Sequence, residues 1–160
     1  MVQQTLDTPT ELFRFQLRTA LTMENDSLAA LGDLAGAAKS AEVKKLFRHH
    51  ADETREQIAN LDAIFAELDY RKSTAPSPST KGISKQAASL LERGAPKLRD
   101  QIAVSCALGN EHYEISAYQA LILPAQAMGL PDVVRLLTAN LDQETHTSEE
   151  LRKTLEKIVG

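Results

Sequence analysis

Apolar positions recur along this chain in threes and fours, the spacing of one face of an α-helix. A first stripe runs Phe13, Leu17, Ala20, Leu21, Glu24, Ser27, Leu28 and Leu31. A second starts at Val43, Leu46 and Phe47, passes through His50, Glu53, Thr54 and Gln57, and resumes at Leu61, Ile64, Phe65 and Leu68. The third holds Ala103, Ala107, Glu111, Glu114, Tyr118, Leu121, Ala125 and Met128; the fourth holds Val133, Leu137, Leu141, Glu144, Ser148, Leu151, Leu155 and Ile158. Each stripe is interrupted near its middle by glutamate. A carboxylate on a buried face costs several kcal/mol unless it is paired, protonated or bound to a cation.

Stop and start signals divide the stripes into four long helices. Thr8-Pro9-Thr10-Glu11 predicts an N-cap, a proline in the first turn and a capping box. Gly32 and Gly36 weaken the end of the first helix, and Ser40 predicts the cap of the second, which should reach Leu68 or Tyr70. From Arg71 to Gly82 the chain is polar, rich in proline and serine and without periodicity, which predicts a mobile surface connection. A short helix is expected from about Ser84 to Arg93, with Pro96 opening the third long helix. Pro124 is expected to kink that helix, Gly129 to end it and Pro131 to open the fourth. The prediction is one all-α domain over 1–160: an antiparallel four-helix bundle of two hairpins, about 9–70 and 96–158, joined by a long crossover over 71–95 that contains the short helix.

In an antiparallel hairpin two residues stand level when their midpoint falls on the turn. Glu24 and Glu53 have theirs between 38 and 39, and Glu114 and Glu144 have theirs at 129. Both midpoints fall on predicted turns, so each pair should stand level, roughly 20 Å from its turn. The halves also echo one another: Glu24 recurs as Glu114 ninety residues on, and Glu53-Thr54 as Glu144-Thr145 ninety-one on. One carboxylate per helix at a single level is what two bridged cations require, and iron and manganese take oxygen donors of this kind. His50 precedes Glu53 by three and Glu111 precedes Glu114 by three, so both share the face of the central residue. The candidate metal ligands are therefore Glu24, His50, Glu53, Glu111, Glu114 and Glu144. Taken singly, any of these glutamates could be salt-bridged at an edge, and His50 could be a core histidine donating to a neighbouring carboxylate. Tyr118, four after Glu114, either packs or hydrogen-bonds a ligand, and Gln57 stands in the same relation to Glu53. His49, His112 and His146 lie off the stripes and are expected at the surface.

Composition excludes several classes. A formal net charge of −4 with interspersed signs carries no basic footprint for nucleic acid. No run approaches the 18 or so apolar residues of a membrane span, and the N-terminus has no charged and apolar leader pattern. Cys106 is the only cysteine, which fits a cytoplasmic protein without an intramolecular disulfide. Gly-rich phosphate loops, Ser/His/Asp arrangements and Cys-x-x-Cys motifs are missing.

The segments His50-Ala-Asp-Glu53-Thr-Arg-Glu-Gln57, Glu111-His-Tyr-Glu114-Ile-Ser-Ala-Tyr118 and Leu141-Asp-Gln-Glu144 resemble the motifs of the YciE/YciF family of bacterial stress-associated proteins. The resemblance spans about Thr8 to Leu155, with Glu-His-Tyr-Glu-Ile its most specific part. It implies a ferritin-like, left-handed four-helix bundle with a long crossover, a di-metal centre and a tendency to form homodimers. The family has no settled activity. Asp142-Gln143-Glu144 departs from a more acidic run in the family, and Pro124 is unusual, but neither change removes a candidate ligand. The leading expectation is two iron or manganese ions held by the six candidates and reacting with peroxide or oxygen during stress, as a di-iron or di-manganese oxidoreductase would. The competing expectation is a non-enzymatic stress or interaction module whose polar layer is structural. A ferritin-type storage cage is disfavoured, because no fifth helix follows Gly160 and the family implies dimers.

Overall fold

All four stripes become faces of long helices in the computed structural model, which describes residues 3–160. Met1 and Val2, part of the stretch expected to lack a leader, lie outside the described residues. The bundle helices are α1 (Pro9–Ala37), α2 (Ala41–Glu67), α4 (Arg99–Ala127) and α5 (Pro131–Val159), with α3 (Pro78–Arg93) in the crossover. α1 pairs with α2 and α4, and α5 pairs with α4 and α2. The all-α ferritin-like bundle read from the stripes is the observed fold.

Local signals account for most helix ends. The Thr8 hydroxyl accepts from the Glu11 N–H at 3.2 Å, and the Glu11 carboxylate accepts from the Thr8 N–H at 3.0 Å, a complete capping box. Ser40 caps α2 through the Val43 N–H at 3.2 Å. Gly129 stands at φ +68°, with its N–H on the Gln126 carbonyl and the Leu130 N–H on the Ala125 carbonyl, which is a Schellman motif. Asp69, at φ +51°, ends α2 with the same two bonds from a residue that tolerates the left-handed region. α4 continues through Pro124 to Ala127, so that proline falls in the last turn rather than at a mid-helix break.

The crossover differs from the expected mobile connection. Its helix begins at Pro78, six residues before Ser84, and its approach is fastened to α1. The Ala75 N–H donates to the Arg18 carbonyl at 3.2 Å, the Arg18 guanidinium donates to the Thr74 carbonyl at 2.9 Å, and Thr80 donates to Asp26 at 2.9 Å. The proline and serine that read as loop chemistry in isolation are ordered by these tertiary partners. Pro96 opens a single 3₁₀ turn, and α4 follows at Arg99.

A cap that no local pattern announces holds the first hairpin. The Asp100 carboxylate accepts from the backbone N–H groups of Lys39 and Ser40 at 2.6 and 3.1 Å, tying the start of α4 to the turn between α1 and α2. Charge-assisted bonds of this kind contribute more than neutral ones. Asp100→Ala is therefore expected to lower stability by roughly 2 kcal/mol, whereas Asp132→Ala, in the first turn of α5, should change it by less than about 0.5 kcal/mol; urea unfolding monitored by circular dichroism measures both.

The apolar core is in two pieces. One cluster, including Phe13, Leu17, Leu21, Leu61, Phe65, Leu121 and Leu137, joins the early turns of α1 and α5 to the late turns of α2 and α4. The other, including Leu31, Val43, Phe47, Val104 and Leu151, closes the opposite end. Neighbouring helices thus run antiparallel, and a polar layer separates the two clusters.

Candidate metal centre

The inward positions in that layer are Glu24 and Ser27 of α1; His50, Thr54 and Gln57 of α2; Glu111, Glu114 and Tyr118 of α4; and Asn140, Glu144, Thr147 and Ser148 of α5. On α1, α4 and α5 the alternating three–four spacing puts glutamate at the centre. On α2 it puts Thr54 there, whose hydroxyl bonds back to the His50 carbonyl at 2.9 Å. Glu53 comes in from the edge and keeps 17% of its side-chain surface exposed. The repeated Glu-Thr pair is thus turned differently in the two halves: Glu144 is buried and Thr145 exposed, while Thr54 is the buried member of its pair.

Glu24, Glu114 and Glu144 each bring a carboxylate oxygen within 4.8 Å of the other two. All three are at most 3% exposed. Glu111 joins them from one turn away: it shares a hydrogen bond with Glu144, which shares another with Glu114. One oxygen each of Glu24, Glu111 and Glu114 is buried without a hydrogen-bond partner. Lone pairs aimed into a closed space with no donor to meet them suit a cation, and an all-oxygen donor set suits hard divalent ions.

Below the carboxylates runs a polar chain. The Tyr118 hydroxyl donates to Glu24 in a short hydrogen bond, the Asn140 amide donates to that hydroxyl at 3.1 Å and to the Gln57 carbonyl at 3.2 Å, and Asn60 donates to Asn140 at 2.8 Å. Tyr118 was legible in the sequence as a possible partner of a ligand carboxylate; the structure identifies that carboxylate as Glu24. Asn140 and Asn60 were missed, although Asn140 sits four before Glu144 on the same stripe, a position that could have marked it.

His50 lies in the layer but faces elsewhere. It is 2% exposed, and its Nε2 lies 3.8 Å from Glu150 Oε2, outside the group formed by Glu24, Glu114 and Glu144. Glu53 accepts from the Thr147 hydroxyl at 3.0 Å, with His49 Nε2 3.3 Å from its other oxygen. His49 and His146 are exposed, as expected from their positions off the stripes.

Burial dominates the electrostatics. It pushes the Glu24 carboxyl up to about 8, with the Tyr118 hydrogen bond pulling the other way. Glu111, Glu114 and Glu144 are driven well above the carboxylate range, first by burial and then by one another's charge. At neutral pH and without cations, the layer must hold protons. His50 is shifted the opposite way, to about 4, by burial and by the neighbouring His49 and His146, so its ring is neutral at pH 7. A cavity of about 30 Å³, lined by Ser27, Thr80, Cys106, Asn110 and Glu111 among others, reaches the layer between α1, α3 and α4 and has room for about one water.

An antiparallel four-helix bundle whose core is cut by a level of buried glutamates belongs to the class of ferritin-like carboxylate bundles. Within that class the chain belongs to the DUF892 family, described as a domain of unknown function, whose model matches residues 8–160. Protein YciF of Escherichia coli K12 is 26% identical over 143 residues, which cover 88% of this chain and 86% of YciF. Among solved structures, YcfI from Rhodopseudomonas palustris is 29% identical with a TM-score of 0.91, covering 95% of this chain and 98% of that one. The E. coli stress protein YciF is 25% identical with a TM-score of 0.91, covering 96% and 98%. A protein from Xanthomonas campestris pv. campestris shares the fold at 23% identity and a TM-score of 0.75, covering 95% and 94%. Among the described residues no helix is long and apolar enough to cross a membrane.

Proposed function

We propose that this protein binds two iron or manganese ions in its carboxylate layer and uses them in redox chemistry with peroxide or dioxygen during stress. The observation that carries this reading is the convergence of Glu24, Glu114 and Glu144 within 4.8 Å in a closed layer where buried carboxylate oxygens have no donor. These three would hold the ions in common, with Glu111 adding a donor from the next turn and Glu53 one from the edge. Bound there, the metals would supply a one-electron couple that no side chain offers. Glu24 is oriented by Tyr118, and the carboxylates offset the charge of the cations. The two apolar clusters exclude water from either end. The link to stress rests on YciF, titled a stress protein, whose fold this chain shares along nearly its whole length. The reading places the protein in the cytoplasm as a homodimer.

A second reading, a structural layer in a non-enzymatic stress or interaction module, is favoured by the Tyr118–Asn140–Gln57 chain and the protons shared among Glu111, Glu114 and Glu144, which satisfy much of the layer without metal. Metal analysis of protein purified without a histidine tag separates the two. We expect close to two equivalents of iron or manganese, peroxide consumption with an optical change by the Fe(II)-loaded protein, and loss of both in Glu53→Ala/Glu114→Ala. Metal at background, with thermal stability indifferent to chelator, would leave the structural reading. Binding without turnover would leave metal in a structural role.

A further inference from the structure

Where α2 meets α5, one turn along α2 from Glu53, lies a set of donors that the carboxylate layer does not use. His50 is almost fully buried, yet neither ring nitrogen has a hydrogen-bond partner. A neutral imidazole carries one N–H donor and one lone pair, so both of its polar functions are unmatched. Its Nε2 faces Glu150 Oε2 at 3.8 Å, beyond hydrogen-bond reach, and that oxygen is also buried and unpartnered. The other oxygen of Glu150 lies 3.2 Å from His146 Nε2. Among the described residues no lysine or arginine pairs with Glu150; its two charge-capable neighbours are imidazoles. An ordinary surface pair between residues four apart on α5 accounts for His146 and Glu150, but leaves the buried His50 unexplained.

We propose that His50, His146 and Glu150 form a separate binding site for one divalent transition ion of the zinc or cobalt type. Two imidazoles and a carboxylate are an established donor set for such ions, with metal–ligand bonds of about 2.0–2.2 Å that set tetrahedral donors roughly 3.3 Å apart. The two observed separations, 3.2 and 3.8 Å, bracket that spacing. His146 and Glu150 are 64% and 36% exposed, so an ion arrives from solvent and small rotations of these two side chains close on it against the buried His50. The nitrogen donors separate this site chemically from the all-oxygen layer, where harder ions are favoured. It stands whether or not the layer holds metal.

Cobalt(II) is the probe, titrated into tag-free wild-type protein, Glu114→Gln and His146→Ala/Glu150→Ala, with the histidine ring protons followed by NMR. In Glu114→Gln, where the layer is disabled, one equivalent should still bind and should shift or broaden the His50 and His146 signals while leaving those of His112 in place. The double variant changes exposed or half-exposed side chains and should keep its helical circular dichroism. It should bind that equivalent at least tenfold more weakly. His50 signals unmoved by cobalt, or unchanged affinity in the double variant, would overturn the site. Cobalt at His50 with none in the layer would leave this site standing and remove the di-metal reading alone.

Discussion

Chelator-treated protein is expected to be most stable near about pH 5 and to lose several kcal/mol by about pH 8. Glu24 sets the direction. Its folded-state pKa is pushed up to about 8 from a usual value near 4.5, so between those values the folded chain holds a proton that the unfolded chain has released. A raised folded pKa gives stability that is fully present below the unfolded pKa and is lost as pH climbs through the folded one. For Glu24 alone the loss is on the order of 4–5 kcal/mol. Glu111, Glu114 and Glu144 are shifted in the same direction and steepen the fall. His50 acts in the opposite sense: its depressed pKa of about 4 gives stability that is present above the usual histidine range and lost as pH drops through the folded value. The two trends oppose each other in weakly acidic solution, and the four carboxylates outweigh the one imidazole, which puts the maximum there. Binding of Mn(II) requires the ionised carboxylates and releases protons, so its stabilisation should grow with pH and reverse the slope between about pH 6 and 8. Thermal melts at three pH values, with chelator and with Mn(II), measure both slopes. A metal-free protein that gains stability toward pH 8 would contradict the buried layer, and parallel slopes would contradict metal binding within it.

Helix number, order and the two turns were legible because burial on one face leaves a three–four spacing that is visible in the chain. The level of the glutamates was legible for the same reason, since equal distances from a turn are counted in residues. Which edge of a stripe faces the bundle axis was not. An apolar stripe spans a wide arc, and Glu53 and Thr54 both fall inside it; only packing against α5 puts Thr54 inside and leaves Glu53 at the rim. The orientation of His50 is hidden in the same way, because its partner Glu150 lies one hundred residues away and reads, by itself, as an exposed helical acid. Asp100 looks like a residue complementing its own helix terminus, while its hydrogen bonds go to the turn at Lys39 and Ser40. The crossover was misjudged because serine and proline describe a loop only until partners on α1, such as Asp26 and Arg18, order them.

Replacing the proton-sharing carboxylates with methionine should make the metal-free protein more stable. Glu111, Glu114 and Glu144 are buried together, raise one another's pKa and must be protonated or repel, whereas methionine keeps much of their length without the desolvation cost. Glu111→Met/Glu114→Met/Glu144→Met is expected to gain roughly 2–4 kcal/mol at about pH 8, or about 5–12 °C in Tm for a chain of this size, and to gain less near about pH 5, where the wild-type layer is already neutral. The variant should no longer respond to Mn(II). Glu24→Ala should behave oppositely although it removes a carboxylate from the same layer. It strips the acceptor from the Tyr118 hydroxyl, leaving a fully buried donor unmatched beside a new cavity, and should lower stability by roughly 2–4 kcal/mol at about pH 5. The opposite signs follow from what each carboxylate touches: three crowd one another, while the fourth completes a hydrogen-bonded chain through Tyr118 and Asn140 to the α2 backbone. If the methionine variant proved less stable than wild type at alkaline pH without metal, the glutamates would be held by partners stronger than each other, and the charge cost that makes the layer a cation site would be absent.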